Sequence, residues 1–271
     1  MFEKKAQLTI FIVLGIVLVI SFSVFFYIIN YSKESTIGLE VEETFDRDIK
    51  DVKFFVETCL DSNIRTGLDM LGKQGGYIEF PENFPFQETS GTYIPLHYDE
   101  GTVSLPTVED MEDFLTDYIG HNLGLCINDF VLFEDRFDFS NTEIDVKISI
   151  PESGNTVIIE FNQNVIIKGR DTIFKLSDLN KDVPVKLRKI HEFAEKVIEA
   201  YEEYDDPDYT GPSPDFVTNV QDYIDFLSQN DLSLNHLPTE ENFHLFLWQV
   251  VGLAGNEKFN FIFGTKSEKN N

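Results

Sequence analysis

Cys59 and Cys126 are the two cysteines of this chain, and their chemistry depends on where the protein resides. In an oxidising compartment an isolated pair of this kind joins, whereas in a cytosol both remain thiols. We hypothesise a disulfide bond between them, which would stabilise the fold by roughly 4 kcal/mol through its constraint on the unfolded chain. No C-x-x-C pattern of a redox or zinc site occurs.

Other patterns that carry chemistry are missing from the sequence. It contains no H-E-x-x-H zinc motif, no G-x-S-x-G nucleophile elbow and no phosphate-binding glycine loop. The acidic residues near Asp129 and from Glu202 to Asp208 are interpreted as solvated surface. We therefore predict no catalytic residue, no metal site and no cofactor. The histidines, none of them in a metal spacing, are His97, His121, His191, His236 and His244.

Residues 81–106 combine several prolines with aromatic residues, and we predict a long loop there. Tyr93, His97 and Tyr98 are its candidate binding residues. Such a segment is either a loop packed by its own side chains or a recognition surface. Packing is the favoured interpretation.

The net charge of the chain is −27, from 48 acidic and 21 basic residues. A surface this acidic repels nucleic acid and does not lie flat on anionic lipid, so nucleic acid is not an expected partner. The acids are scattered, and no calcium-binding loop motif occurs. Solubility on a crowded surface is the simplest interpretation of the acidity.

The segment Leu8–Ile29 carries no charge and, as a helix, would span the hydrocarbon core of a bilayer, about 30 Å. Lys4 and Lys5 precede it, so the N-terminus is expected in the cytoplasm and the body outside, at the cell membrane. The predicted fold class is α+β: a single N-terminal transmembrane helix, then an extracytoplasmic body of amphipathic helices packed on antiparallel β-hairpins. Residues 1–30 would be the cytoplasmic tip and anchor, 31–42 a stalk, and 43–271 the body, with a possible sub-boundary near 204–214.

Hydrophobic periodicity places the elements of the body. Steps of three and four predict helices over about 41–73, from Thr107 to Cys126, over 185–203 and after Ser213. Period-two alternation predicts strands at 77–80, 144–150, 156–162, 165–167 and 172–176. A final hairpin is predicted over 243–251 and 258–264, although its first arm also fits a helix.

The N-terminal segment has three competing interpretations. Ser21-Phe22-Ser23 offers a cleavage site for a secretory signal, but the apolar run continues to Ile29; an uncleaved signal anchor also fits. Lys5-Ala6-Gln7 ahead of Leu8-Thr9-Ile10-Phe11 resembles the class III signal segment of archaeal type IV pilin-like proteins. That resemblance implies cleavage between Ala6 and Gln7. Phe11 departs from it, because bacterial pilins carry Glu there.

The wider layout, E-T-C-L followed by L-G-K-Q-G-G-Y-I, is similar to a group of archaeal membrane-anchored surface proteins. The expected function is therefore a single-pass, membrane-anchored surface protein with a structural, adhesive or pilin-like role. The bilayer, through Leu8–Ile29, and other pilin-like or surface proteins are the expected partners. The alternative is an anchored extracytoplasmic enzyme, such as an envelope hydrolase.

Mass spectrometry of the protein extracted from its native cells separates the three interpretations of the N-terminus. The pilin-like resemblance predicts a mature protein that begins at Gln7. A start at Met1 would leave an uncleaved anchor, and a start at Val24 would indicate a secreted protein. Either of these two results contradicts processing at Lys5, Ala6 and Gln7.

Overall fold

A computed structural model describes residues 49–89, 92–135, 137–138, 144–167, 172–176, 179–205, 221–237, 245–254 and 257–267, together with residues 20, 22 and 23. The chain divides into two compact units, residues 1–54 and 55–271. In the first unit the described residues are helical. All the described strands lie in the second unit.

Helix α1 runs over residues 49–73, and its residues 55–73 in the second unit bury an apolar stripe at steps of three and four. Its end at Lys73 is as predicted. Gly75 and Gly76 follow with φ angles of 60° and 99°, a left-handed conformation that costs glycine little. The N–H of Gly76 donates to the carbonyl of Leu71 at 2.7 Å, which closes the last turn of the helix.

Helix α2 (Val108–Ile127) begins at the predicted cap, Thr107. The Thr107 hydroxyl accepts the N–H of Asp110 at 3.1 Å, and the Asp110 carboxylate accepts the N–H of Thr107 at 2.9 Å. The two residues thus satisfy each other's backbone donors. The hydrogen bonds from Thr107 lower the pKa of Asp110. Cys126, near the end of α2, lies at disulfide distance from Cys59 on α1, with 2.03 Å between the sulfur atoms.

The described strands form two sheets. In the first, the order is β1-β2-β11-β10-β9, and β3 pairs with β2. In the second, β6 is central and pairs with β4, β5, β7 and β8. In chain order the strands are β1 (Phe86–Thr89), β2 (Thr92–Asp99), β3 (Thr102–Val103), β4 (Phe137–Asp138), β5 (Asp145–Ser149), β6 (Val157–Ile167), β7 (Thr172–Leu176), β8 (Lys181–Val183), β9 (Ser233–Leu237), β10 (Leu245–Ala254) and β11 (Glu257–Lys266).

Helices α3 (Leu187–Asp205) and α4 (Gln221–Gln229) complete the described helices, with a 3-10 turn over Asn128–Phe133. α3 buries one face and contacts β2 and β11 of the first sheet. The predicted helix over 185–203 is confirmed. Phe259, Phe261 and Phe263 alternate inward on β11, as the hairpin prediction required. The first arm of that hairpin is the strand β10, so its helical alternative is wrong.

The predicted fold class is contradicted in its first element. Among the described residues no helix is both long enough and apolar enough to cross a membrane. The three helices with the required length, α1, α2 and α3, all carry acidic residues along their exposed faces. Of the segment Leu8–Ile29, only residues 20, 22 and 23 are described. The fold-class prediction is therefore corrected: the described residues contain no transmembrane helix. The predicted α+β architecture of the body is found.

Four predictions about strands and loops are also wrong. Residues 81–106 contain β1, β2 and β3 instead of one long loop, and residues 77–80 contain no strand. Pro95 is tolerated within β2 because the pairing with β11 begins only at Leu96. The predicted strands 156–162 and 165–167 are one strand, β6. The pair β2 and β11 is parallel, so the sheets are not built from antiparallel hairpins alone.

The remaining predictions about domains stay predictions. The boundaries at residues 30 and 42, and the stalk between them, lie outside the described residues. So does most of the possible sub-boundary at 204–214, since residues 206–220 are not described.

We expect the substitution Gly72→Ala to destabilise the second unit by about 2 kcal/mol, the usual cost of overpacking a core. A Cβ at Gly72 would collide with the carbonyl oxygen of Asn260 and lie 2.8 Å from the Phe259 ring. Gly120→Ala is the matched control, because no atom lies within 4 Å of its added Cβ. Gly120→Ala should raise the free energy of unfolding by about 0.5 kcal/mol, because alanine in a helix loses less conformational entropy than glycine. Urea unfolding measures both, and equal effects would contradict the close packing of α1 on β11.

Candidate functional site

The structure describes only some of the predicted site residues. Lys5, Ala6 and Gln7, the predicted processing site, lie outside the described residues. Cys59 is buried and Cys126 is exposed at the end of α2, so one side of their bond faces the surface. No group of three or more His, Cys, Asp or Glu side chains in the described part of the chain could hold a metal ion.

Tyr93, His97 and Tyr98, the predicted binding residues, do not lie in a loop, and a binding role for them stays a prediction. All three lie on strand β2, where successive side chains point to opposite faces. Tyr93 is 64% exposed, whereas His97 and Tyr98 are 0% and 1% exposed. The Tyr98 hydroxyl donates to the Asp205 carboxylate at 2.7 Å, so Tyr98 ties β2 to the end of α3.

The aromatic residues of this region mainly pack on one another. The ring of Phe80 lies 5.1 Å from that of Phe84 and 4.6 Å from that of Phe86. The Phe84 ring also contacts the buried Tyr77 ring at 4.9 Å. Packing, the interpretation that the sequence favoured for these aromatics, describes this cluster, and only Tyr93 at its edge is largely exposed.

His97 is a structural residue at the centre of the described core. Its Nε2–H donates to the carbonyl oxygen of Gly75 at 2.6 Å, and its ring stacks on Phe263 with centroids 5.6 Å apart. Burial lowers the pKa of His97 to about 3, and the nearby His191 acts in the same direction. The hydrogen bond to Gly75 opposes that shift. His97 is therefore a neutral imidazole at physiological pH.

A groove with a volume of about 440 Å³ lies between α3 and residues 103–108, which lead from β3 into α2. Buried side chains hold the second of these walls in place. The Tyr77 hydroxyl donates to the carbonyl of Ser104 at 2.8 Å, and the Nε2–H of His191 donates to the carbonyl of Pro106 at 2.7 Å. The backbone N–H of Ser104 donates to the carbonyl of His97 at 2.8 Å.

The α3 wall of the groove is strongly acidic. Four glutamates follow one another at steps of three and four, which places them along one side of the helix. Arg188 closes one end, and its guanidinium donates to the carbonyls of Ile150 and Pro151 at 2.7 and 3.0 Å. The glutamates that line the groove are Glu192, Glu195, Glu199 and Glu202.

The opposite wall offers no charge. Its residues are Val103, Leu105, Pro106, Thr107 and Val108, none of which carries a titratable side chain. Hydrolysis of a glycosidic bond requires two carboxyl groups that flank the bond from different sides. Among the described residues that line this groove, every carboxylate comes from α3. The arrangement therefore suits the binding of a positively charged group better than acid–base catalysis.

Sequence reasoning did not find this groove. Glu202 belongs to an acidic run that is interpreted as solvated surface. Residues 103–106 fall in the predicted loop, and Thr107 and Val108 begin the predicted helix. The regular spacing of the glutamates was the available signal. It could not indicate a groove, because the facing wall is formed by residues far away in the sequence.

The chain matches no family model, no curated protein and no solved structure.

We expect the stability of the protein to fall as the pH drops from 6.5 towards 3. His97 has a pKa of about 3 in the folded state and 6.5 in the unfolded state. Below pH 6.5 its imidazole is therefore protonated in the unfolded chain but still neutral in the folded chain. Between pH 8 and pH 5 this single residue should cost about 2 kcal/mol of unfolding free energy. Urea unfolding at the two pH values measures the loss.

The substitution His97→Gln keeps a donor for Gly75 and removes the titration, so its loss of stability between the two pH values should be smaller by about that amount. His121→Gln, at an exposed histidine of α2, is the control and should behave like the unsubstituted protein. An unchanged pH dependence in His97→Gln would contradict the assignment to His97.

Proposed function

We propose that this chain is a cell-surface protein with a structural or adhesive role, and that residues 55–271 work outside the cytoplasm. The observation that carries the proposal is the bond between Cys59 and Cys126, which joins α1 to α2 across a sequence separation of 67 residues. No other cysteine is present to exchange with it.

A bond that closes so long a loop stabilises a fold by about 4 kcal/mol in the chain-entropy account, which is a large share of a domain's stability. In a reducing cytosol the thiol pools remove that contribution, whereas outside it the bond persists. Cys126 is exposed, so a cytosolic reductant would reach the bond directly. An oxidising environment is therefore the one in which this fold keeps its full stability.

The charge of the chain supports the same location. With a net charge of −27, the protein repels nucleic acids and other acidic polymers of a cell interior. Between Gln74 and Asp135 there is no lysine or arginine at all. A surface of this kind remains dispersed at high local density and attracts cationic partners, which suits a structural or adhesive protein.

The groove favours the adhesive role over the envelope hydrolase that was the alternative. A binding site needs complementary charge and apolar contact. The α3 wall supplies the charge, and the wall formed by residues 103–108 supplies the apolar contact. A glycoside hydrolase of the common type needs two carboxyl groups that flank the scissile bond, and the wall formed by residues 103–108 provides none.

The redox state of the two cysteines in intact cells tests the location. Native cells are quenched in acid and treated with a maleimide polymer, which retards any protein that carries free thiols on a gel. We expect no retardation unless a reductant is added first, and we expect digestion of the protein by protease supplied to intact cells. The double variant Cys59→Ser and Cys126→Ser is the control for labelling.

Protein recovered with both thiols free and protected from external protease would contradict the proposal. Reduction of the purified protein should also lower its free energy of unfolding by up to about 4 kcal/mol. The double variant should be insensitive to the reductant.

A further inference from the structure

We propose that the groove between α3 and residues 103–108 binds an extended, basic segment of a partner protein in which lysines alternate with apolar residues. The inference extends the proposed adhesive function by naming the chemistry of the partner. The binding itself is testable in purified protein, independently of where the protein resides.

Charge complementarity is the first reason for a basic occupant. Lys189 binds Glu192 with 2.8 Å between the charged atoms, so Glu192 is already neutralised. In the part of the chain that the structure describes, no lysine or arginine forms an ion pair with Glu195, Glu199 or Glu202. His191 also neighbours this row, with its Nδ1 3.6 Å from Glu195, and Arg188 lies at one end of the groove.

The apolar wall is the second reason, because it distinguishes a protein segment from a simple cation. Val103 is 46% exposed, and Leu105 and Pro106 extend its apolar surface along the groove. A hydrated metal ion or a small amine would leave this surface in water. A lysine with an apolar neighbour covers it and places its ammonium group at the carboxylates.

An extended conformation suits a groove with two unlike walls. In an extended segment alternate side chains point to opposite sides, so one set can face α3 while the other faces residues 103–108. Glu195, Glu199 and Glu202 cover about 10 Å along the helix axis. Three alternate lysines cover about 13 Å, a difference that their flexible stems accommodate.

The walls are also held in position before any partner arrives. The Ser104 and Pro106 carbonyls are fixed by Tyr77 and His191. The far end of α3 is fixed by Asp205, which accepts the hydroxyl of Ser267 at 2.5 Å in addition to that of Tyr98. A preformed groove loses little conformational freedom when it binds, which favours a measurable affinity for a short peptide.

Isothermal titration calorimetry of the full-length, disulfide-bonded protein at low ionic strength tests the inference. The probe is the acetylated and amidated peptide Gly-Val-Lys-Val-Lys-Val-Lys-Gly. Its control peptide carries glutamine in place of each lysine. We expect binding of the lysine peptide that weakens as salt is added, and no binding of the glutamine peptide.

Two double variants locate the site. Glu199→Gln with Glu202→Gln removes two groove charges and should weaken binding about tenfold, the effect of two solvent-accessible ion pairs. Glu152→Gln with Glu160→Gln removes the same charge at exposed positions outside the groove and should leave the affinity unchanged. Val103→Lys places an ammonium group on the apolar wall and should weaken binding at least as much as the groove variant.

Several results would overturn the inference. Equal weakening by the two double variants would mean that only the overall charge attracts the peptide. Binding of spermidine as tight as that of the peptide would assign the groove to small polyamines instead. The absence of any heat signal at millimolar peptide would remove the site altogether. The disulfide measurement in cells does not depend on these outcomes, so it tests the proposed location of the protein independently.

Discussion

The close approach of the end of α1 to the first sheet is the constraint on which the rest of the described body depends. At Gly72 and Gly75 there is no room for a Cβ, because the carbonyl oxygens of Asn260 and Ile262 on β11 occupy that space. Backbone therefore meets backbone at this contact. Only glycine permits such an approach, and at Gly75 it also supplies the positive φ angle that turns the chain.

His97 extends this constraint to three parts of the chain. Its ring binds the Gly75 carbonyl after α1 and stacks on Phe263 of β11, and its own carbonyl accepts the N–H of Ser104 before α2. Each buried hydrogen bond contributes only about 1 kcal/mol net, but leaving one of these groups unpaired would cost more. The turn after α1, the strand β2 and the entry to α2 are thus positioned together.

The groove is a consequence of that arrangement. Tyr77 and His191 hold the carbonyls of residues 104 and 106, so the apolar wall has a fixed position beside α3. The exposed face of α3 then stays open to solvent with its carboxylates in a row. Long-range attraction by these charges and short-range contact with the apolar wall would act together on the basic segment that we propose as the partner.

The sequence by itself determined the local elements of this protein. Apolar steps of three and four marked α2 and α3, Thr107 marked the start of α2, and Gly75 marked the end of α1, because each of these signals acts within one or two turns. The alternating phenylalanines also predicted the strand β11, and the isolated pair of cysteines indicated a candidate disulfide bond. Only the tertiary structure decided the pairing of β2 with β11, the burial of His97 and the groove. These depend on contacts between residues far apart in the chain, and a local pattern does not specify which distant segment will cover a side chain or leave it exposed.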